Sequence, residues 1–124
     1  MAFRVIIAAG AVLLAFAPLA RAEGDPQAGE AVFKKNCSVC HTTDEGKNKI
    51  GPSLHGIVGR HSATLPNFQY SEAMKSANKE WDAQNLDQYL SNPRGLVPGT
   101  KMIFAGLKNE QDRQNIVAYL ATQK

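Results

Sequence analysis

Cysteine is scarce in this chain. Its 124 residues hold two, Cys37 and Cys40, and histidine is nearly as sparse at three. A structural zinc site takes four Cys or His ligands, usually as two close pairs. Beyond His41 only His55 and His61 remain, and they do not repeat the first pair's spacing. Aromatic residues make up 7% of the chain, and no dense basic stretch interleaves with them. The electrostatic footprint of a nucleic-acid binder is therefore missing. No strand alternation of any strength appears, and no internal repeat. No apolar run reaches the roughly 20 residues that a membrane-spanning helix needs.

The apolar run that is present lies at the start. Arg4 is followed by an uncharged stretch from Val5 to Ala17, then by Pro18 and by Ala20-Arg21-Ala22. A positive residue, a short apolar core and small residues at a cleavage point are the marks of a cleavable signal peptide, predicted here over residues 1–22. A domain at 23–124 would remain, 102 residues long, enough for one small domain and no second. Without Arg4 and Arg21 the bases fall to 12 against 11 acids, so the pI near 9.0 overstates the basicity of the mature chain. Export from a bacterium would place it in the periplasm.

What is present is Cys37-Ser38-Val39-Cys40-His41. Two thiols separated by two residues, with an imidazole directly after, form the attachment pattern of a c-type haem. Each thiol can form a thioether to one vinyl group on the same edge of a porphyrin, and the short arc between them brings His41 under the iron. The rival for a bare CxxC is a redox disulfide. That motif belongs to a βαβ context, which is missing, and so short a closed loop would stabilise the fold little. A second axial ligand has a candidate in Met102, within Pro98-Gly99-Thr100-Lys101-Met102-Ile103-Phe104. His/Met ligation raises the reduction potential and closes the iron to small molecules. Taken alone, Met102 reads as a core methionine before it reads as a ligand.

The helical signals follow in order. Asp25 caps and Pro26 opens a first helix, with Ala28, Val32 and Phe33 on one face and Gly29 at a point of close helix crossing. Residues 42–70 read as irregular, punctuated by Gly and Pro. A loop that long needs a reason, and a haem wrapped by it, lined by Leu54, Ile57 and Val58, supplies one. His55 and His61, the rival iron ligands, read as surface residues. Ser71 caps a short helix over 71–78. Met74 reads as sitting in a polar stretch. Asp82 caps a helix to Ser91 with Leu86, Tyr89 and Leu90 inward, and Pro93 ends it. A second loop, 92–108, carries Met102. The last helix starts near Asn109, its face formed by Ile116, Val117, Tyr119 and Leu120, and it pairs with the first. The predicted class is all-α, with four to five helices and long loops around one haem.

So many residues in one order resemble a family. Gly29 with Phe33, the Cys37–His41 motif, Gly51-Pro52-Ser53-Leu54-His55-Gly56, Gly59-Arg60, Asn92-Pro93, the Pro98–Gly106 segment and Ala118-Tyr119-Leu120 resemble the class I cytochromes c, close to the mitochondrial protein and to bacterial cytochromes c2 and c550. The resemblance implies one haem c, covalent through Cys37 and Cys40, with His41 and Met102 on the iron. It also implies roles for other residues. The Pro52 carbonyl would accept the imidazole proton of His41. Tyr70, Trp81 and Thr100 would hydrogen-bond the haem propionates, with Arg60 a compensating charge nearby. Tyr89 would place its hydroxyl near the methionine sulfur, and Phe104 would shield the haem. Two departures stand out: Met74 where the family often has asparagine, and Asn36 where it often has lysine.

The function this implies is a soluble, monomeric, periplasmic single-haem electron carrier, not an enzyme and not a nucleic-acid binder. Its partners would be a cytochrome bc1-type donor and a terminal oxidase or photosynthetic reaction centre, docked transiently through Lys35, Lys49, Arg94, Lys101 and Lys108. Two rival classes differ in chemistry. A peroxidase or gas sensor would need an open sixth position, and a haem-free thiol or metal protein would be colourless.

Overall fold

The computed structural model describes residues 24–124; the predicted signal peptide lies outside them. Five helices follow one another: α1 Pro26–Asn36, α2 Glu72–Ala77, α3 Ala83–Ser91, α4 Pro93–Leu96 and α5 Glu110–Ala121. Each starts at a side chain able to satisfy a free backbone N–H. Asp25 accepts from the Gln27 N–H at 2.9 Å, Asp82 from Asn85 at 2.7 Å and Asn109 from Asp112 at 2.9 Å. Ser71 accepts from Met74 at 3.1 Å and Asn92 from Gly95 at 3.1 Å. Pro26 and Pro93 occupy first helical positions, where the missing N–H costs nothing.

α1 and α5 cross where Gly29 falls. A Cβ on Gly29 would collide with the backbone carbonyl of Asn115 and meet the Tyr119 Cβ at 2.7 Å. The missing side chain lets the two backbones touch. One turn later the rings of Phe33 and Tyr119 pack at 5.6 Å, tilted by 49°, while Ile116 and Leu120 are buried. Asn115 is also buried, a polar residue on this apolar face. Its Oδ1 accepts from the Asp25 N–H at 2.9 Å and from Gln111 Nε2 at 3.0 Å. The carbonyl oxygen thus ties the start of α1 to α5, and its burial is compensated.

The rest of the core comes from the long loop, α3, the residue before its cap and the start of the Met102 segment: Ile57, Trp81, Leu86, Tyr89 and Val97. The loop over 42–70 is irregular as expected, and is held by backbone bonds to distant parts of the chain. Gly56 donates to Gln123 at 2.6 Å, Gly59 to Trp81 at 2.9 Å and Ser62 to Lys79 at 2.7 Å. Among the described residues, β pairing is limited to one isolated antiparallel bridge, His61 to Glu80.

Three expectations need correction. Pro93 ends α3 but also begins α4, so residues 92–108 are not all loop. A proline that stops one helix is equally suited to the first turn of the next. Met74 packs against the core despite its polar neighbours, because α2 turns it inward. His55 is half-buried, its ring against the Thr43 carbonyl at 3.1 Å, whereas His61 is exposed as expected.

Candidate haem-binding site

The two thiols sit where α1 unwinds. The Cys37 N–H still bonds to the Phe33 carbonyl at 2.8 Å, and the next turn is closed by Cys40 and His41 N–H groups on the Cys37 carbonyl at 3.1 and 2.9 Å. This turn draws Cys40 and His41 back over Cys37. The two cysteines are unbonded to each other. Burial pushes the Cys37 thiol up to about 11, with Cys40 adding to the shift. A thiol-exchange or metal-thiolate site needs the opposite, a depressed thiol pKa.

His41 is the best-fixed side chain of the motif. Its Nδ1 lies 2.7 Å from the Pro52 carbonyl oxygen. A carbonyl can only accept, so Nδ1 carries the proton and Nε2 keeps its lone pair. Gly51 packs against the ring so closely that a Cβ there would collide with it, and the Gly51 N–H bonds to the Cys40 carbonyl at 2.8 Å. Burial lowers the imidazole pKa, with the Pro52 bond opposing, so the ring stays neutral near pH 7. A neutral imidazole with a bound Nδ1–H is the arrangement of a metal-ligating histidine.

Met102 lies on an extended segment in which Lys101, Ile103 and Ala105 face out while Met102 and Phe104 are half-buried. Gly99, at φ +86°, makes the turn into it, and Thr100 closes the turn through its N–H to the Val97 carbonyl at 3.0 Å. The Thr100 hydroxyl is shared between the Tyr89 hydroxyl at 2.9 Å and the Met102 N–H at 3.3 Å. Tyr89 packs on Trp81 with ring centroids 5.0 Å apart. Trp81, Tyr89, Thr100 and Met102 therefore form one connected wall. Thr100, expected beside a propionate, has its hydroxyl bonded to Tyr89. Burial raises the Tyr89 phenol, and the Thr100 bond partly offsets it.

Arg60 and Tyr70 lie together elsewhere. The guanidinium donates to the Ser53 carbonyl at 3.1 and 3.2 Å and to that of His55. Burial lowers its pKa and the neighbouring Tyr70 opposes. The Tyr70 hydroxyl accepts from the Leu65 N–H at 3.3 Å, and its ring meets Phe68 edge-on at 4.9 Å. The rival ligand His61 has its Nε2 at 3.0 Å from the Asn78 side chain. No cluster of three or more His, Cys, Asp or Glu among the described residues could hold a metal ion.

These residues fit a haem by the chemistry of their donors: two unbonded thiols, one imidazole with Nε2 open, and a thioether on a separate segment. Half-buried Leu54, Val58, Leu90 and Leu107 add apolar surface beside them. Sequence reasoning did not find Ser53, buried with its hydroxyl on the Asp44 carbonyl at 2.5 Å and its N–H on Asn48 Oδ1 at 2.9 Å. Together Ser53 and Asn48 brace the backbone after Pro52. The available signal was a small polar residue following Gly-Pro. The expected docking residues Lys35, Lys49, Arg94, Lys101 and Lys108 are all exposed.

A family model described as Cytochrome c matches residues 26–124. A cytochrome c2 from Rhodomicrobium vannielii is 48% identical over 89% of this chain and 88% of its own length. A cytochrome c from Stellaria longipes is 46% identical over 79% of this chain and 92% of its own. A protein named cytochrome c-type cyt cy, from Rhodobacter capsulatus, is 50% identical over 80% of this chain but 49% of its own length.

Proposed function

The chain belongs to the cytochrome c family, and from that premise we propose a soluble periplasmic carrier in which Cys37 and Cys40 hold one haem and His41 and Met102 are its axial ligands. A family member of this kind is a single-haem electron-transfer protein and not an enzyme. The haem, when bound, supplies one-electron chemistry, the iron alternating between ferric and ferrous.

The observation that carries the ligand assignment is the 2.7 Å contact of His41 Nδ1 with the Pro52 carbonyl. It presets the tautomer and leaves Nε2 as the donor. The bond also raises the basicity of the ring, and the Gly51 backbone packs directly against the ring. Across the core, the Tyr89–Thr100–Met102 chain of hydrogen bonds fixes the backbone from which the thioether projects. Buried Trp81, Tyr89 and Ile57 keep water from the interior. A dry, rigid surround changes little between redox states, which suits rapid electron exchange. Tyr70, Trp81 and Thr100 are the proposed hydrogen-bond partners of the propionates, Arg60 the compensating charge nearby, and Phe104 the aromatic shield.

Exposed Lys35, Lys49, Arg94, Lys101 and Lys108 support docking to an acidic face. Val39, within the motif, and Ile103, beside Met102, are 79% and 95% exposed and supply apolar contact. Such a face favours brief encounters steered by charge. We propose a bc1-type complex as donor and a terminal oxidase or reaction centre as acceptor. The apolar, Arg-led stretch over residues 1–22 supports export.

The test is the mature protein itself. Its mass should exceed the 23–124 polypeptide by one tetrapyrrole, and its ferric spectrum should show the weak red-edge band of a sulfur–iron bond. Met102→Ala should lose that band and let carbon monoxide bind the reduced form. A wild-type protein that takes up carbon monoxide freely would overturn the Met102 assignment.

A further inference from the structure

The segment bearing Met102 is tied down at two ends by different means. Its first end is held by the Val97 and Thr100 turns and by Tyr89. Its middle, with Lys101, Ile103 and Ala105 exposed, contributes little. Its second end returns across α3. The Leu107 N–H donates to the Leu90 carbonyl at 2.7 Å, Lys108 Nζ donates to the Ser91 carbonyl at 2.8 Å, and Gly106 lies against the same Ser91 carbonyl.

One side chain on α5 gathers this second end. Arg113 Nη1 donates to the Leu107 carbonyl at 2.9 Å and to the Lys108 carbonyl at 3.0 Å, while its Nε donates to Asp87 Oδ1 at 2.7 Å. The Arg113 side chain is 12% exposed, and the Asp87 side chain is 42% exposed. The guanidinium therefore spans three elements: α5, which carries it, α3 through Asp87, and the returning segment through two carbonyls. Both carbonyls lie beyond the helix and strand ladders, so nothing regular would replace the bonds. Charge-assisted bonds from a largely desolvated guanidinium are stronger than neutral ones, and the fork geometry fixes direction as well as distance.

We infer that Arg113, oriented by Asp87, is the positioning residue for the Met102 segment: the pair sets how often the segment lifts away and the thioether is released. This rests on the proposed role of Met102 as a ligand. The lifted state is the minor partner of a two-state equilibrium, and an added ligand that binds only that state reads its population.

The experiment titrates imidazole into the ferric holoprotein, following loss of the red-edge band, and compares wild type with Asp87→Asn and Arg113→Lys. Lysine keeps the charge but cannot reach two carbonyls and a carboxylate at once. Arg113→Lys should raise the apparent imidazole affinity about tenfold, because apparent affinity scales with the population able to bind. Asp87→Asn should raise it by less, since the two carbonyl bonds survive. Unchanged imidazole affinity in both variants overturns the inference, even if their melting temperatures fall. Amide hydrogen exchange over residues 101–108, referred to Phe33 in α1, supplies a second reading. Arg113→Lys should speed exchange in the segment and not at Phe33; equal protection overturns the inference. If wild type itself lacks the red-edge band, the ligand reading fails, while selectively faster exchange still upholds the strap.

Discussion

The Nδ1–H of His41 meets the carbonyl of Pro52 at 2.7 Å, and the residue before that proline is the glycine on which the imidazole rests. Gly51 thus decides where the ring lies, and Pro52 decides which nitrogen faces away. Gly51→Ala should displace the ring, because a Cβ there has no free space. Overpacking of this kind costs about 1–3 kcal/mol. The expected outcome is a lower haem content per polypeptide and a weakened red-edge band, measured by absorbance against total protein.

Gly29→Ala tests the α1–α5 crossing. Alanine gains up to about 1 kcal/mol of helix propensity over glycine. The new methyl group would collide with the Asn115 backbone, which cannot swing aside as a side chain could. The helices must separate, and Phe33 and Tyr119 lose contact with them. A net loss of about 2 kcal/mol is expected, read as a lower guanidinium midpoint at unchanged slope.

Much of this was legible in the sequence, for identifiable reasons. Asp25-Pro26, Ser71 and Asp82 announce helix starts because capping is local chemistry, and all three caps are found; the start expected near Asn109 is found as well, with Asn109 itself the cap. The cysteine pair with His41 is legible because covalent attachment dictates spacing. The pairing of α1 with α5 was visible in Gly29 and Phe33. Asn115 was not, since a buried asparagine looks like any polar helix residue until its partner, the Asp25 N–H, is brought to it from 90 residues away. Arg113 and Asp87 are hidden for the same cause: their meaning is in a contact between α5 and α3. The inward turn of Met74 depends on where α2 docks, which its neighbours do not encode.

Tyr89 carries a pH dependence. Burial raises its phenol pKa above the ordinary 10.0, so the folded state prefers the neutral hydroxyl. A group with a raised folded pKa contributes stability that is intact below the unfolded value and is lost as pH rises through the folded one. The fold should therefore weaken above about pH 10. Tyr89→Phe should flatten that alkaline loss. It should also cost about 1 kcal/mol near neutral pH, from the lost bond to Thr100. Guanidinium titrations at neutral and alkaline pH check both signs.

Cys37→Ala/Cys40→Ala, produced without haem, should be largely unfolded. Two of the helices are very short, α2 having 6 residues and α4 having 4, and isolated helices of that length are unstable in water. Leu54, Val58, Met74, Leu90 and Met102 are only half-buried, so much of the apolar surface that should drive folding lacks a partner of its own. Far-ultraviolet circular dichroism measures the outcome; native-like helix content would show that the polypeptide core suffices.

Docking through charge has its own signature. Several cations near the motif are occupied locally: Lys34 pairs with Glu30 at 2.8 Å, Lys47 with Asp44 at 3.4 Å, and Lys49 donates to the Ser38 carbonyl at 2.7 Å. Lys101 is exposed beside Met102 and forms no ion pair among the described residues, so its field points outward. Reversing it adds a repulsion to an acidic partner and removes an attraction. Lys101→Glu should slow electron exchange with a purified bc1-type complex roughly threefold to tenfold at low ionic strength. Its rate should converge on that of wild type near 1 M salt, where the screening length is about 3 Å. The reduction potential and the red-edge band should stay put, because the Met102 backbone is fixed by Thr100 and not by the lysine. A rate deficit that persists at high salt would mean that the substitution has disturbed the segment itself, and the steering role would then belong to other residues.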